Sequence, residues 1–210
     1  MTFTNALKAT ERSLKLVAIR AGVRIGALVA PARTAALIAR RFFATEKPPL
    51  QRTHFTLSEP ARVRLQAPDG EVIAYHWGDF KREPTVVLAH GWNGWAQQME
   101  RFVAPLQERG LAVIAFDHVA HGASTGNRSS LPVMIRTLEH VFSEVPNLVG
   151  AIAHSLGAAA TASVLASSRR ELQGAVLIAP PSDPRPYLTM LARMMGAPKA
   201  LMPQIEQAAG

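Results

Sequence analysis

The sequence contains no cysteine. Disulfides and thiolate-ligated metal sites are therefore excluded, and the redox compartment is left open. No window reaches ~18 uncharged apolar residues, so a membrane-spanning helix is not expected. There is no internal repeat and no low-complexity tract, which sets repeat architectures aside. Acidic residues are scarce at the start: residues 1–45 hold eight basic side chains against the single acid Glu11, whereas the remainder holds fifteen basic and fourteen acidic. The basic character thus belongs to an N-terminal segment and not to the body of the molecule, and no nucleic-acid partner is expected. Histidine is absent beyond His154, although seven histidines occur before that point or at it. What remains is an ordinary globular composition over 210 residues, 48% hydrophobic and 18% charged, enough for one substantial core.

Residues 5–43 carry a helical pattern. Leu7, Leu14, Val17, Ala21, Ile25 and Leu28 form one apolar stripe, with Lys8, Arg12 and Lys15 off it. Pro31 is expected to break the helix, which Ala32 to Phe43 resumes. Three readings compete: a helix packed on its own domain, a basic amphipathic helix on an anionic membrane, and a targeting segment. Glu46 to Leu50, with Pro48-Pro49, reads as a linker. The domain reading is a basic helical segment over 1–47, a core over 48–183 and the start of a helical lid over 184–210. The expected location is cytoplasmic, with peripheral membrane contact through residues 5–43.

From about residue 53 the period changes. His54 to Leu57, Ala61 to Gln66 and Glu71 to Trp77 read as strands, the last two joined by a Pro68-Asp69-Gly70 turn. Thr85 to Ala89, Leu111 to Phe116, Asn147 to Ile152 and Ala175 to Ala179 are continuous apolar runs, as in buried parallel strands. Helices are expected over Gly94–Arg109, Leu131–Ser143 and Ser155–Ser168. This alternation predicts an α/β fold: a mostly parallel sheet opened by an antiparallel hairpin, with helices on both faces and an amphipathic helical segment in front.

Three motifs stand at the ends of successive strands: His90-Gly91-Trp92-Asn93-Gly94, Asp117 to Ser124, and Ala153-His154-Ser155-Leu156-Gly157. The last has the layout of a nucleophile elbow, a serine on a strand-to-helix turn with helix N–H groups behind it and small residues two before and two after. A helix-capping serine is the plain alternative. In order, context and type the three motifs resemble the α/β-hydrolase superfamily over residues 53–183, closest to serine hydrolases with a His-Gly-Trp oxyanion loop. The resemblance implies Ser155 as nucleophile and the backbone N–H groups of Trp92 and Leu156 as an oxyanion hole. His90, Gly91, His121, Gly122, His154 and Gly157 are then motif residues with structural roles. Asp117, His118 and His121 suggest a thin metal site, but the resemblance accounts for them without one. No metal and no organic cofactor is implied.

The superfamily's chain order is serine, acid, histidine, and no histidine follows Ser155 here. Asp183, past a strand end, is the candidate acid, although its Pro-rich surroundings read more as the entry to a lid. Leu188, Met190, Leu191, Met194 and Met195 suit an adaptable acyl-facing surface. By the superfamily's standard the chain stops early, as a C-terminally truncated product, a degenerate member or one half of a completed assembly. The expected function is hydrolysis of an ester, thioester or similar acyl bond of a small-molecule substrate, with little activity from this chain alone. The alternative is a non-catalytic binding or membrane-associated protein on the same scaffold. An apolar Ala175–Ala179 edge would favour self-association.

Overall fold

The computed structural model describes residues 3–49, 54–168, 171–183 and 185–209, with side chains from Ser13 onward. Leu50, Pro184, Gly210 and the side chains of Leu7, Lys8 and Arg12 lie outside the described residues. The chain forms two compact units, residues 44–182 and residues 1–43 with 183–210.

The larger unit is built on a six-stranded sheet. Its strands are β1 (Ala61–Ala67), β2 (Gly70–Trp77), β3 (Thr85–Ala89), β4 (Ala112–Phe116), β5 (Leu148–His154) and β6 (Gly174–Ile178), in the spatial order β1-β2-β4-β3-β5-β6. The β1–β2 hairpin is antiparallel, with Ala67 opposite Gly70, and β2 runs antiparallel to β4. β4, β3, β5 and β6 are parallel. β3 and β4 are fully buried along their length, which is why they read as unbroken apolar runs rather than alternating ones.

The period-2 geometry of a strand sends neighbouring side chains to opposite faces. Val87, Ala89, Ile114 and Phe116 face α4 (Leu131–Ser143) and α5 (Leu156–Ser167), where Met134, Leu138, Ala160 and Val164 complete the core. Val86, Leu88, Val113 and Ala115 face the opposite way, onto Ala96, Met99 and Val103. Helices therefore cover both faces. Ser130 caps α4 by accepting the Val133 N–H, with Pro132 in the first turn, where its missing N–H has no cost.

Three segments differ from expectation. His54–Leu57 is a bend, not a strand. The buried Glu100 carboxylate accepts the N–H groups of Thr56, Leu57 and Ser58, so those donors turn to a side chain instead of a sheet neighbour. Gly94–Arg109 is not one α-helix. Ala96–Phe102 winds as a 3-10 helix before α3 (Val103–Gln107), placing the buried Ala96 and Met99 at the three-residue spacing that a 3-10 turn stacks. Finally, the expected linker is tied down at its start. Thr45 donates its N–H to the Asn127 carbonyl and its hydroxyl to the Ala120 carbonyl. The Lys47 ammonium donates to the Ser124 carbonyl.

In the smaller unit, α1 (Phe3–Val29) and α2 (Pro31–Phe42) break at Ala30, as Pro31 requires. α6 (Arg185–Met194) and α7 (Met202–Ala209) complete it. Its core is Val23, Ala35, Ile38, Leu188, Ala192, Leu201 and Ile205. Burying Ile38 completely stabilises this unit by about 1.5–3 kcal/mol.

Candidate active site

All four parallel strands end in strained backbone. Among the described residues, the non-glycine positions with positive φ are Asn93 (53°), Ala120 (70°), Ser155 (52°) and Ala179 (48°). They follow β3, β4, β5 and β6 respectively, at the carboxyl rim where open α/β sheets hold their ligands. Each such residue costs of order 1–3 kcal/mol and persists only because its surroundings over-determine it. Asn93-Gly94 is a recognisable turn pair. Ser155 is announced by its elbow motif, whereas the two alanines carry no such signal in the sequence.

Ser155 sits between β5 and α5 with φ 52° and ψ −125°. Its N–H donates to the Ile178 carbonyl at 2.8 Å, and its own carbonyl accepts from Ala158 and Ala159. Its hydroxyl makes no capping hydrogen bond to α5, so the plain reading of a capping serine does not apply here. Leu156 opens α5, and a first-turn N–H has no partner within its own helix.

Two glycines make the close approach possible. A Cβ on Gly157 would stand 2.1 Å from the His90 carbonyl oxygen, so α5 meets the loop after β3 at backbone distance. A Cβ on Gly91 would stand 2.8 Å from the Ser155 Cβ and 3.3 Å from His154 Nδ1. The Gly91 backbone therefore lies directly against the serine. Ala153 is fully buried, and the exposed His154 stands beside Gly91.

His90 is buried, and both of its ring nitrogens are engaged. The His118 N–H donates to Nε2 at 3.0 Å, so the ring proton is on Nδ1, which donates to the Gly91 carbonyl at 2.7 Å. Burial holds His90 neutral, its pKa pushed down to about 3. It ties the loop after β3 to the loop after β4. His121 pairs Nδ1 with the Val119 carbonyl and stacks edge-on to Trp92 at 5.3 Å. Burial lowers its pKa to about 4. His118 is wholly buried between Phe116 and His90, with no hydrogen-bond partner among the described residues on either ring nitrogen, and burial drives its pKa well down.

Asp117 joins these loops. Its Oδ1 accepts the Ala96 N–H at 2.7 Å and its Oδ2 the Ala123 N–H at 2.8 Å. Burial outweighs those bonds and raises its pKa to about 6. Gly122, with φ 48°, is obligatory: a Cβ there would lie 2.2 Å from the Asp117 carboxyl. Among the described residues, no group of three or more histidine, aspartate or glutamate side chains is arranged to hold a metal ion.

The structure therefore joins Trp92, His90, His118, His121 and Asp117 in one cluster, with Gly91 beside Ser155. Asp183 belongs to the other unit. There its carboxylate accepts the Arg185 N–H and pairs with the Arg185 guanidinium at the start of α6, which lowers its pKa. Asn93 and Glu46 were not legible as site residues. The Asn93 side-chain oxygen accepts the Glu46 N–H at 3.0 Å, fastening residues 44–47 to the loop that carries Trp92.

Comparison with known proteins bears on this geometry. The fold is that of the Pyrococcus furiosus esterase Pf2001 (TM-score 0.55, 21% identity, covering 80% of this chain and 69% of that one). It is also that of a thioesterase domain from the curacin biosynthetic pathway (TM-score 0.54, 19% identity, 67% and 53%). Est1E from Butyrivibrio proteoclasticus, solved with ferulic acid, is similar too (TM-score 0.50, 20% identity, 56% and 52%). The chain thus spans about half the length of the curacin thioesterase domain, 53%. No curated protein matches it. The family model of the S33 serine aminopeptidases matches residues 81–209, from the turn before β3 through α7. With more than half of its length covered by that match, this chain belongs to the S33 serine aminopeptidase family of α/β-hydrolases.

Proposed function

We propose that this protein is a serine hydrolase in which Ser155 attacks the acyl carbonyl of an ester, thioester or similar small-molecule substrate. The observation that carries this reading is the Ser155 backbone, held at φ 52° on the rim of the sheet while its hydroxyl takes no part in capping. In the reaction the Ser155 Oγ–carbonyl carbon bond forms, the bond to the leaving group breaks, and the hydroxyl proton passes to the leaving group. The Leu156 N–H at the head of α5 and the Trp92 N–H beside Gly91 would hold the oxyanion, because both backbones converge on the serine. The reading calls for no metal and no organic cofactor.

His90 supplies no general base, since both of its ring nitrogens are occupied. Without a base, the oxyanion hole and binding supply only ~10³–10⁴-fold over the uncatalysed reaction. The direct test is labelling of the full chain with a fluorophosphonate, read by mass spectrometry of the peptide containing Ser155. An adduct on Ser155 that the Ser155→Ala variant loses supports the reading. Labelling elsewhere, or labelling unchanged in Ser155→Ala, ends it.

The engagement of both His90 ring nitrogens also fits a second reading, a non-catalytic binding or membrane-associated protein on the same scaffold. It predicts no adduct at Ser155 and no ester turnover above buffer. Self-association through β6 fits either reading, because among the described residues β6 pairs on one side only, with β5, and Val176 on it is exposed.

A further inference from the structure

We propose that the outer face of α1 is a docking surface for an anionic lipid bilayer, with the helix lying in the plane of the interface. At 100° per residue, Leu14, Val17, Ala21, Ile25 and Leu28 fall on one side of α1. In the folded unit that side faces outward: Leu14, Val17, Ile25 and Leu28 are between 62 and 86% exposed. The opposite side supplies the contacts within the unit, through the buried Val23 and the partly buried Ala27. Folding of the unit therefore consumes the weaker apolar side of the helix and leaves the stronger one outside. A contiguous apolar face of this kind marks an interaction site rather than scattered surface hydrophobics.

Charge identifies the occupant. Lys15 borders the stripe on one side, and Arg20 and Arg24 border it on the other. From Arg12 to Thr45, Arg12 included, there are seven basic residues and no acidic one. A symmetric pairing of two copies through this stripe would set those cations against each other, which opposes self-association. An anionic headgroup layer meets the same cations favourably while the acyl region takes the leucine, valine and isoleucine side chains. Among the described residues, no helix is long and apolar enough to cross a membrane, so α1 lies on the surface instead of spanning it. Arg20 is already fixed by donating to the Met194 carbonyl at 3.0 Å, which holds that edge of the stripe against α6.

Co-sedimentation of the full chain with vesicles tests this, comparing pure phosphatidylcholine with a mixture containing a third phosphatidylglycerol. Binding to the mixed vesicles at low salt is expected, with a loss of at least tenfold in half-molar salt and on pure phosphatidylcholine. Val17→Asp with Leu28→Asp should abolish binding, and Lys15→Glu with Arg24→Glu should weaken it about as much as salt does. Both double variants should keep the parent melting temperature, since these side chains support no core. No binding to the mixed vesicles at low salt overturns the proposal. So does a fall of several degrees in melting temperature for the Asp variant, which would mean that the chain itself covers the stripe. A parent dimer in sedimentation velocity that the Asp variant dissolves, without vesicle binding by the parent, would assign the surface to a second copy.

Discussion

Ser130 and Ser155 both precede helices, yet only Ser130 uses its hydroxyl to cap one. The difference lies in the backbone. Ser130 is extended, at φ −155°, and reaches the Val133 N–H, whereas Ser155 at φ 52° does not reach back to its helix. Replacing Ser130 by alanine should therefore cost about 1 kcal/mol. Ser155→Gly should instead stabilise the protein by about 1 kcal/mol, since glycine occupies positive φ without penalty. Urea unfolding of the two variants checks this pair, and a loss of stability in Ser155→Gly would count against strain at the elbow. Gly157→Ala should be the most damaging of the small changes. Its methyl would meet the His90 carbonyl at 2.1 Å, and backbone cannot move aside cheaply. A loss of about 1–3 kcal/mol or more is expected, together with loss of any fluorophosphonate labelling at Ser155. Asp117→Ala leaves the N–H groups of Ala96 and Ala123 without acceptors, at about 1–3 kcal/mol for the buried Ala96 donor and less for that of the exposed Ala123.

At the level of elements, the loops after β3 and β4 behave as one piece. His90, His118, His121 and Asp117 hold them together, and all four are buried. The three histidines titrate near 6.5 when unfolded, but burial lowers their folded pKa values, to about 3 for His90 and about 4 for His121. Between those limits the unfolded chain binds more protons, so their stabilisation is complete above pH 6.5 and is lost as the pH falls. Asp117 acts in the opposite sense. Its folded pKa is raised to about 6, so its contribution is present below its unfolded value and is lost as the pH rises through 6. Between pH 6 and 4 the net is about two protons, a loss of ~3 kcal/mol per pH unit. Urea midpoints at pH 7, 6 and 5 measure the slope, and a flat profile would rule out the buried neutral cluster. His118→Leu should stay within about 1 kcal/mol of the parent at neutral pH, because neither ring nitrogen has a partner to lose. It should also shallow the slope by about one proton.

For the whole molecule, the two ends of the chain share one unit with its own core around Ile38. Ile38→Ala should cost about 2–5 kcal/mol. If the units melt separately, calorimetry of this variant will lower one transition and leave the other in place. Hydrolysis of a p-nitrophenyl ester by the full chain should be slow and lost in Ser155→Ala. Fast turnover dependent on Ser155 would mean that a base reaches the serine by a route absent from the described geometry. The exposed apolar β6 edge should make the isolated chain associate at micromolar concentration, and a sharp monomer in sedimentation velocity would contradict that.

Local pattern was enough for the hairpin, the four parallel strands, α4, the break at Pro31 and the three strand-end motifs. Each is written in periodicity or in turn residues over fewer than about fifteen positions, which is the range over which side-chain spacing reports burial. Local pattern failed where a distant side chain decided the outcome. Residues 54–57 look like a strand, but Glu100 takes their N–H groups from more than forty positions away. Glu46 to Leu50 looks like a linker, but Asn93 and Ser124 fasten Glu46 and Lys47 at its start. The apolar stripe of α1 was legible in the sequence, but which side of the helix would be buried was not, because a period gives a face and not its partner. The sequence by itself determined the strand-to-helix turn Ala153-His154-Ser155-Leu156-Gly157 and its resemblance to the α/β-hydrolases. Only the tertiary structure decided that Gly91 and Gly157 let the loop after β3 close on Ser155 and α5, and that Asp117 and His90 tie that loop to the one after β4, since backbone approach between distant segments leaves no periodic trace in the chain.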